Sequence, residues 1–150
     1  MGQSLSDVVI HLIFSTKNRE PIITDDIESE LFRYICGRAD QLKSSVIRIN
    51  GMEDHIHILL HLSKEVTYSD LIADLKANSS RWIKSKGEKF QHFSWQSGYG
   101  AFSVSRSMVD RVIHYINNQK EHHKKYSFKE ELLLMLKRAK IKYDEKYLWD

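Results

Sequence analysis

The chain has 150 residues, of which 41% are hydrophobic and 29% are charged, and this balance fits one globular domain with an adequate core. No apolar stretch is long enough to span a bilayer, and the first residues lack a signal-peptide pattern, so we expect no membrane association. The single cysteine, Cys36, cannot form an internal disulfide, which favours a reducing cytoplasm. A net charge of +3 permits nucleic-acid binding without requiring it.

The first half of the sequence predicts a strand, a helix and a hairpin, in that order. Apolar residues alternate along 8–15, which is typical of a strand, and Asp25 begins a stretch with helical apolar spacing. Two further strand-like stretches, 46–49 and 55–62, flank Asn50-Gly51. Because Asn-Gly suits the positive φ angles of a tight turn, this segment predicts a β-hairpin.

The second half predicts a helix, a strand region and two further helices. Ser69 begins an amphipathic helix, and residues 93–104 look like one or two strands interrupted by glycines. A helix over about 107–125 follows, and Ser127 and Glu130 form a capping box for the last helix. The order β-α-β-β-α-β-α-α predicts an α+β class: a ferredoxin-like antiparallel sheet with helices packed on one face and a C-terminal tyrosine-bearing helix.

Two histidines separated by one residue are the first candidate site. On a strand, His55 and His57 point to the same face, while Ile56 and Ile58 point to the other, buried one. Two imidazoles side by side on a rigid strand are a natural start to a divalent metal site. Taken alone, the pair is better explained by a half-exposed strand whose polar face happens to carry histidines.

A tyrosine and a glutamine are the second candidate site. On the helix predicted over 107–125, for which Ser107 and Asp110 form a capping pair, Tyr115 and Gln119 lie one turn apart on the same side. A phenol can act as a nucleophile and a carboxamide oxygen as a metal ligand. Taken alone, the pair fits a tyrosine at the edge of the core and a glutamine facing water better than a catalytic site.

Together, the two motifs resemble those of the single-tyrosine transposases of the insertion-sequence-200-like family. This family belongs to the His-hydrophobic-His endonuclease superfamily, which also contains plasmid relaxases and rolling-circle initiators. The resemblance extends over nearly the whole chain and includes residues 13–19, 52–57, 75–82, 95–105 and 143–149.

The resemblance implies a single transposase domain over 1–150 that cleaves and rejoins single-stranded DNA by transesterification. Tyr115 would attack a backbone phosphate, become joined to the 5′ phosphate and release a 3′ hydroxyl. His55, His57 and Gln119 would hold Mg²⁺ or Mn²⁺, and mixed nitrogen and oxygen ligands suit Mn²⁺ somewhat better.

The resemblance also implies partners. These are single-stranded DNA with hairpin ends and a second copy of the chain, in a cytoplasmic, nucleoid-associated homodimer whose sites combine the histidines of one subunit with the tyrosine of the other. The candidate DNA contacts lie in stretches that match the family: Lys17, Arg19, Ser79, Ser80 and Arg81.

Several other side chains near the motifs have ambiguous roles. We expect His122 and His123 to contact phosphate or solvent rather than metal. Trp95, Tyr99 and Phe102 could stack on unpaired bases, but at least one of these three should be buried, because aromatic residues in a small sheet are often core residues.

Three alternatives remain open. A relaxase or replication initiator shares the chemistry, but such proteins usually carry further histidines or a helicase domain. A non-catalytic ferredoxin-like nucleic-acid binder should show an aromatic strand motif for stacking bases, and the sequence has none. A domesticated transposase that processes repeated palindromes would share every residue named above.

Overall fold

The part of the chain that the structure describes contains four strands and six α-helices. A computed structural model describes residues 2–150. The strands are β1 (Val9–Ser15), β2 (Val46–Met52), β3 (His55–His61) and β4 (Gly100–Val104). The helices are α1 (Asp25–Gln41), α2 (Tyr68–Lys84), α3 (Val109–Asn117), α4 (Gln119–His122), α5 (Phe128–Arg138) and α6 (Glu145–Leu148).

The strands form one antiparallel sheet in the order β2-β3-β1-β4. The two central strands are therefore neighbours in space but not in sequence, as expected for a ferredoxin-like β-α-β-β-α-β unit. The predicted fold class is confirmed. Among the described residues, no helix is both long and apolar enough to cross a membrane.

One face of the sheet packs against α1 and α2 and forms an apolar core. The strand residues on this face are Ile10, Leu12, Phe14, Ile56, Ile58 and Leu60. The helices contribute inward stripes at helical spacing: Ile27, Leu31, Ile35 and Ala39 from α1, and Leu71, Ile72, Leu75 and Ile83 from α2. This layer is the helical face that the alternation of apolar residues predicted.

The opposite face of the sheet is also buried, because α3 and α5 cover it. Its apolar residues, Val9, Ile13 and Leu59, pack against α3 or α5. Between them lie His11, His55 and His57, all of which are buried. The polar face of β3 is therefore enclosed between two layers, and its side chains need partners inside the protein.

The hairpin between β2 and β3 turns later than predicted. Asn50 and Gly51 lie within β2, and Met52 pairs with His55, so that the chain reverses at Glu53 and Asp54. The prediction of a turn at Asn50-Gly51 was wrong. Gly51 instead lets the backbone of β2 approach that of β3 closely. A Cβ at position 51 would overlap the backbone carbonyl of His55 and lie 2.9 Å from the Cα of Ile56.

The ends of two helices were predicted with mixed success. The capping box of α5 is confirmed, since the Ser127 hydroxyl accepts the Glu130 backbone N–H and the Glu130 carboxylate accepts the Ser127 N–H. The capping pair proposed for the tyrosine helix was wrong. Ser107 lies within a 3₁₀ turn, Arg106–Met108, and α3 begins at Val109 without a side-chain cap.

A pair of glycine substitutions tests the close approach in the hairpin. Gly51→Ala should lower the free energy of unfolding by roughly 1–3 kcal/mol, because β2 must move away from β3 to admit the methyl group. Gly37→Ala, in α1 with nothing near the added Cβ, should raise it by roughly 0.5–1 kcal/mol. Urea unfolding measures both, and equal effects of the two substitutions would contradict the packing described here.

Candidate active site

The site is built on the histidine pair of β3. His55 and His57 have no exposed surface, and their ring centroids lie 5.4 Å apart. Strand alternation aims both rings at the layer formed by α3 and α5. The two imidazoles are therefore brought together as the sequence predicted, but inside the protein rather than on an open face.

Each of these histidines has its Nδ1 atom engaged by a neighbour. Asp54, at the turn, accepts the Nδ1–H of His55 at 2.7 Å. A second hydrogen bond, 2.7 Å long, joins Nδ1 of His57 to Nε2 of the buried His11 on β1. Both Nε2 atoms face the interior of the site. Partners of this kind fix the ring orientation of metal-binding histidines.

Gln119 reaches the site because the tyrosine helix breaks. The helix predicted as continuous over 107–125 ends at Asn117, and a new turn, α4, begins at Gln119. Asn50 of β2 donates its amide N–H to the carbonyl oxygen of Ile116 at 2.8 Å, which satisfies the broken end. The buried Gln119 then places its Oε1 atom 3.2 Å from Nε2 of His55.

Tyr115 lies beside the same cluster. Its ring centroid is 5.8 Å from that of His57, and its hydroxyl donates to the carboxylate of Glu131. Burial, and then the neighbouring anionic Glu131, raise the pKa of the Tyr115 phenol, so it stays protonated at neutral pH.

Glu131 was not predicted as a site residue from the sequence, and His123 was expected to contact phosphate or solvent. The Nε2 atom of His123 lies 3.1 Å from Oε1 of Glu131, and its side chain is 5% exposed. His123 therefore faces the cluster rather than solvent, and its contact with phosphate rather than metal stays a prediction. The ligand atoms of His55, His57, His123 and Glu131 all lie within 4.8 Å of one another, which is close enough to share one metal ion.

Charge within the cluster is unevenly distributed. Burial alone would lower the pKa of His55, but the hydrogen bonds to Asp54 and Glu131 outweigh it and raise the pKa to about 9. Burial lowers the pKa of His57 to about 4 and that of His11 to about 3, so both rings are neutral at pH 7. Hydrogen bonds from the imidazoles hold the pKa of Glu131 far below its usual range despite its burial, which keeps it ionised.

The donor atoms suit a cation, and an ion bound here would displace the proton that His55 holds at neutral pH. Three imidazole nitrogens, an amide oxygen and one carboxylate form the mixed nitrogen and oxygen donor set that Mn²⁺ accepts and that Mg²⁺ tolerates. The donors converge from β3, α4 and α5, and the carboxylate would offset part of the ionic charge in a buried place.

The predicted DNA contacts are divided between two regions. Lys17 is exposed and Arg19 half-buried just beyond the end of β1, whose Ser15 pairs with His55. Arg81 is exposed and Ser80 half-buried on α2, across the sheet from the histidines. Thus only the first region adjoins the cluster.

Ser79 does not contact solvent. It is 1% exposed, and its hydroxyl oxygen accepts the indole N–H of Trp95 at 3.0 Å. This burial removes Ser79 from the candidate DNA contacts, because the helical stripe that carries Leu75 also carries Ser79 into the core. Trp95 itself is 7% exposed, which agrees with the expectation that one of the three aromatic residues is buried.

Comparison with known proteins identifies one family. Residues 4–119 match the family described as "Transposase IS200 like". Over 114 residues the chain is 25% identical to the ISDra2 transposase TnpA of Deinococcus radiodurans, covering 73% of this chain and 81% of that protein.

Two solved structures share the fold. A crystal structure assigned to a transposase from Deinococcus radiodurans R1 has a TM-score of 0.62 at 25% identity, covering 79% of this chain and 96% of that one. A REP-associated tyrosine transposase bound to a REP hairpin has a TM-score of 0.62, covering 82% and 72%, and its 11% identity shows the fold alone.

The fold and the sequence matches define the class as tyrosine transposases. Because the family match spans most of its length, the chain belongs to the IS200-like transposase family.

The hydrogen bond between His11 and His57 should contribute to metal affinity, because it orients the His57 ring. His11→Phe keeps the ring but removes the partner of Nδ1, so Mn²⁺ affinity measured by calorimetry should fall by roughly 10- to 100-fold. His11→Asn should lose less Mn²⁺ affinity, because the asparagine amide oxygen can accept the Nδ1–H of His57. His61→Ala, at the partly exposed end of β3, is the control and should bind as the wild type does. An unchanged affinity in His11→Phe would contradict the orienting role.

Proposed function

We propose that this transposase cleaves and rejoins single-stranded DNA through a covalent 5′-phosphotyrosine intermediate on Tyr115. The observation that carries the proposal is the convergence of the Tyr115 hydroxyl, two strand histidines and Gln119 on one buried cluster. A phenol with an ordinary pKa near ~10 is a weak nucleophile in isolation, so a nucleophilic tyrosine needs such surroundings.

The proposed step exchanges one phosphodiester for another. The phenolic oxygen of Tyr115 forms a bond to phosphorus as it loses its proton, and the bond from phosphorus to the 3′ oxygen breaks. The leaving 3′ oxygen takes up a proton and becomes a hydroxyl. Attack of a 3′ hydroxyl on the phosphotyrosine reverses these changes and rejoins the strand, so that no nucleotide cofactor is needed.

His55, His57 and Gln119 would hold Mg²⁺ or Mn²⁺, with His123 within reach of the same ion. When bound, a divalent ion would polarise the phosphate and neutralise charge on its oxygens. The chain's own contribution is orientation: Asp54 and His11 fix the two imidazoles, and the break before Gln119 lets the amide face them.

A cavity beside the tyrosine provides room for the phosphate. Its volume is about 290 Å³, and Tyr115, Glu131, His122 and Arg138 are among the residues that line it. The guanidinium of Arg138 lies close enough to lower the pKa of Tyr115, although burial and Glu131 outweigh it. A cationic group at this position favours a phosphate over a neutral ligand.

The proposed substrate is single-stranded DNA with hairpin ends. An unpaired strand can bring its phosphate into the site without melting, and Lys17 and Arg19 would guide the backbone towards the histidine strand. The similarity to a transposase bound to a REP hairpin supports a folded hairpin as the recognition element. Ser80 and Arg81 would contact a more distant part of the same DNA.

We further propose that residues 1–150 act as one transposase domain within a homodimer located at the nucleoid. The family assignment does not favour a relaxase, a replication initiator or a non-catalytic nucleic-acid binder. Since Tyr115 lies beside the histidines of its own chain, the proposed site is complete within one subunit, in contrast to the shared arrangement that the resemblance implied.

Loss of the tyrosine hydroxyl tests the nucleophile. Tyr115→Phe should abolish the covalent adduct with labelled single-stranded oligonucleotides on a denaturing gel, while folding and DNA binding persist. Tyr68→Phe, an exposed tyrosine at the start of α2, should form the adduct at the wild-type level. The substrate panel must include the element's own ends, and an adduct in Tyr115→Phe would refute the assignment.

Subunit mixing tests whether the site lies within one chain. A His57→Ala subunit and a Tyr115→Phe subunit, each inactive alone, should remain inactive when combined in one dimer, because neither chain holds a complete site. Differently tagged subunits verify that the mixed dimer forms. Recovery of cleavage would show that the tyrosine acts across the interface.

A further inference from the structure

Glu131 contacts all four residues that the sequence analysis assigned to catalysis and metal binding. One of its oxygens, Oε1, lies 2.9 Å from Nε2 of His57 and 3.4 Å from Nε2 of His55. The other, Oε2, accepts the amide N–H of Gln119 at 3.1 Å and the hydroxyl of Tyr115. Among the described residues, no other side chain of the cluster contacts all four.

The position of Glu131 on α5 is otherwise a core position. Phe128, Leu132 and Leu136 occupy the inward stripe of the helix, and Glu131 lies on the same stripe with its side chain 1% exposed. An ionised carboxylate in such a place costs several kcal/mol unless it is paired and hydrogen-bonded. An apolar residue would pack there without that cost, so packing does not explain the glutamate.

The two oxygens of Glu131 face different groups. Oε1 faces only imidazole nitrogens, including Nε2 of His123 at 3.1 Å. After loss of their protons, these nitrogens would supply the lone pairs that bind an ion. Oε2 faces the nucleophile and the amide of Gln119. The carboxylate therefore spans the distance between the ion-binding atoms and the attacking oxygen.

Glu131 lies beyond the family-matched segment, which ends at residue 119. The ion-binding atoms predicted from the motifs thus gain a carboxylate from a helix outside that segment. α5 is held in place by the contact of Phe128, Leu132 and Leu136 with Ile13 of β1, so the carboxylate sits on a rigid element.

We infer that Glu131 is a bridging residue: Oε1 completes the ligand set of the divalent ion, and Oε2 positions the Tyr115 hydroxyl beside that ion. This inference rests on the proposed function. An anionic oxygen ligand strengthens the binding of hard cations such as Mg²⁺ and Mn²⁺, and the shared carboxylate places the nucleophile at a fixed distance from the bound ion.

Manganese titration without DNA tests the ligand role. Glu131→Gln keeps the shape of the side chain but removes the charge, and its Mn²⁺ affinity in calorimetry should be at least about tenfold weaker than that of the wild type. Glu121→Gln, an exposed glutamate on α4, is the matched control and should bind as the wild type does. Equal affinities of wild type and Glu131→Gln would overturn the inference.

Adduct formation at saturating Mn²⁺ tests the positioning role separately from affinity. Under these conditions Glu131→Gln should still form the phosphotyrosine adduct more slowly than the wild type, while Glu131→Asp, which restores the charge, should recover part of the affinity. A wild-type adduct rate in ion-saturated Glu131→Gln would overturn the positioning of Tyr115.

Two further results keep the outcomes distinct. If wild type binds no Mn²⁺ at all, the proposed metal dependence fails and this inference fails with it. If wild type and Glu131→Gln both bind Mn²⁺ with the same affinity, this inference alone fails. Should Glu131→Gln not fold by circular dichroism, carbon-13 labelling of glutamate carboxyl groups in the wild type replaces it. Mn²⁺ should then broaden the buried carboxyl resonance first, and an unaffected buried resonance would overturn the inference.

Discussion

Burial of the polar face of β3 determines how the rest of this site is built. His55 and His57 cannot reach water, and a buried polar atom without a partner costs about 1–3 kcal/mol. Among residues 2–150, every buried side-chain nitrogen or oxygen has a hydrogen-bond partner. The partners come from the turn, β1, α4 and α5, so the polar network also ties these elements together.

Local patterns predicted the elements better than their exact ends. Alternation along β3 correctly predicted that the two histidines share one face and that apolar residues line the other. Side-chain direction in a strand follows from the backbone alone. The Asn50-Gly51 dipeptide carried a strong local turn signal, yet Gly51 lies in the strand, where only a glycine admits the backbone of His55. A tertiary contact, invisible in the local sequence, decided the position of the turn.

The site was predicted only in part, because some of its residues meet through tertiary contacts that the local sequence does not show. Tyr115, Gln119 and the histidine pair follow recognisable spacings, whereas His11, His123 and Glu131 act through contacts between distant segments. Glu131 did leave a signal: it falls on the apolar stripe of a capped amphipathic helix, where a glutamate has no packing role. A charged residue at a core position of a helix is therefore a useful sign of a buried polar partner elsewhere in the chain.

The two faces of the sheet contribute unequally to the stability of the fold, and this asymmetry permits the polar site. The face covered by α1 and α2 buries continuous apolar surface, which supplies a favourable free energy of roughly 25 cal/mol for each Å² removed from water. The other face replaces part of that surface with ionised and hydrogen-bonded groups that contribute little net free energy. Because β1 and β3 belong to both layers, the apolar core holds His11, His55 and His57 rigidly in place. The cluster can thus be arranged for chemistry rather than for packing.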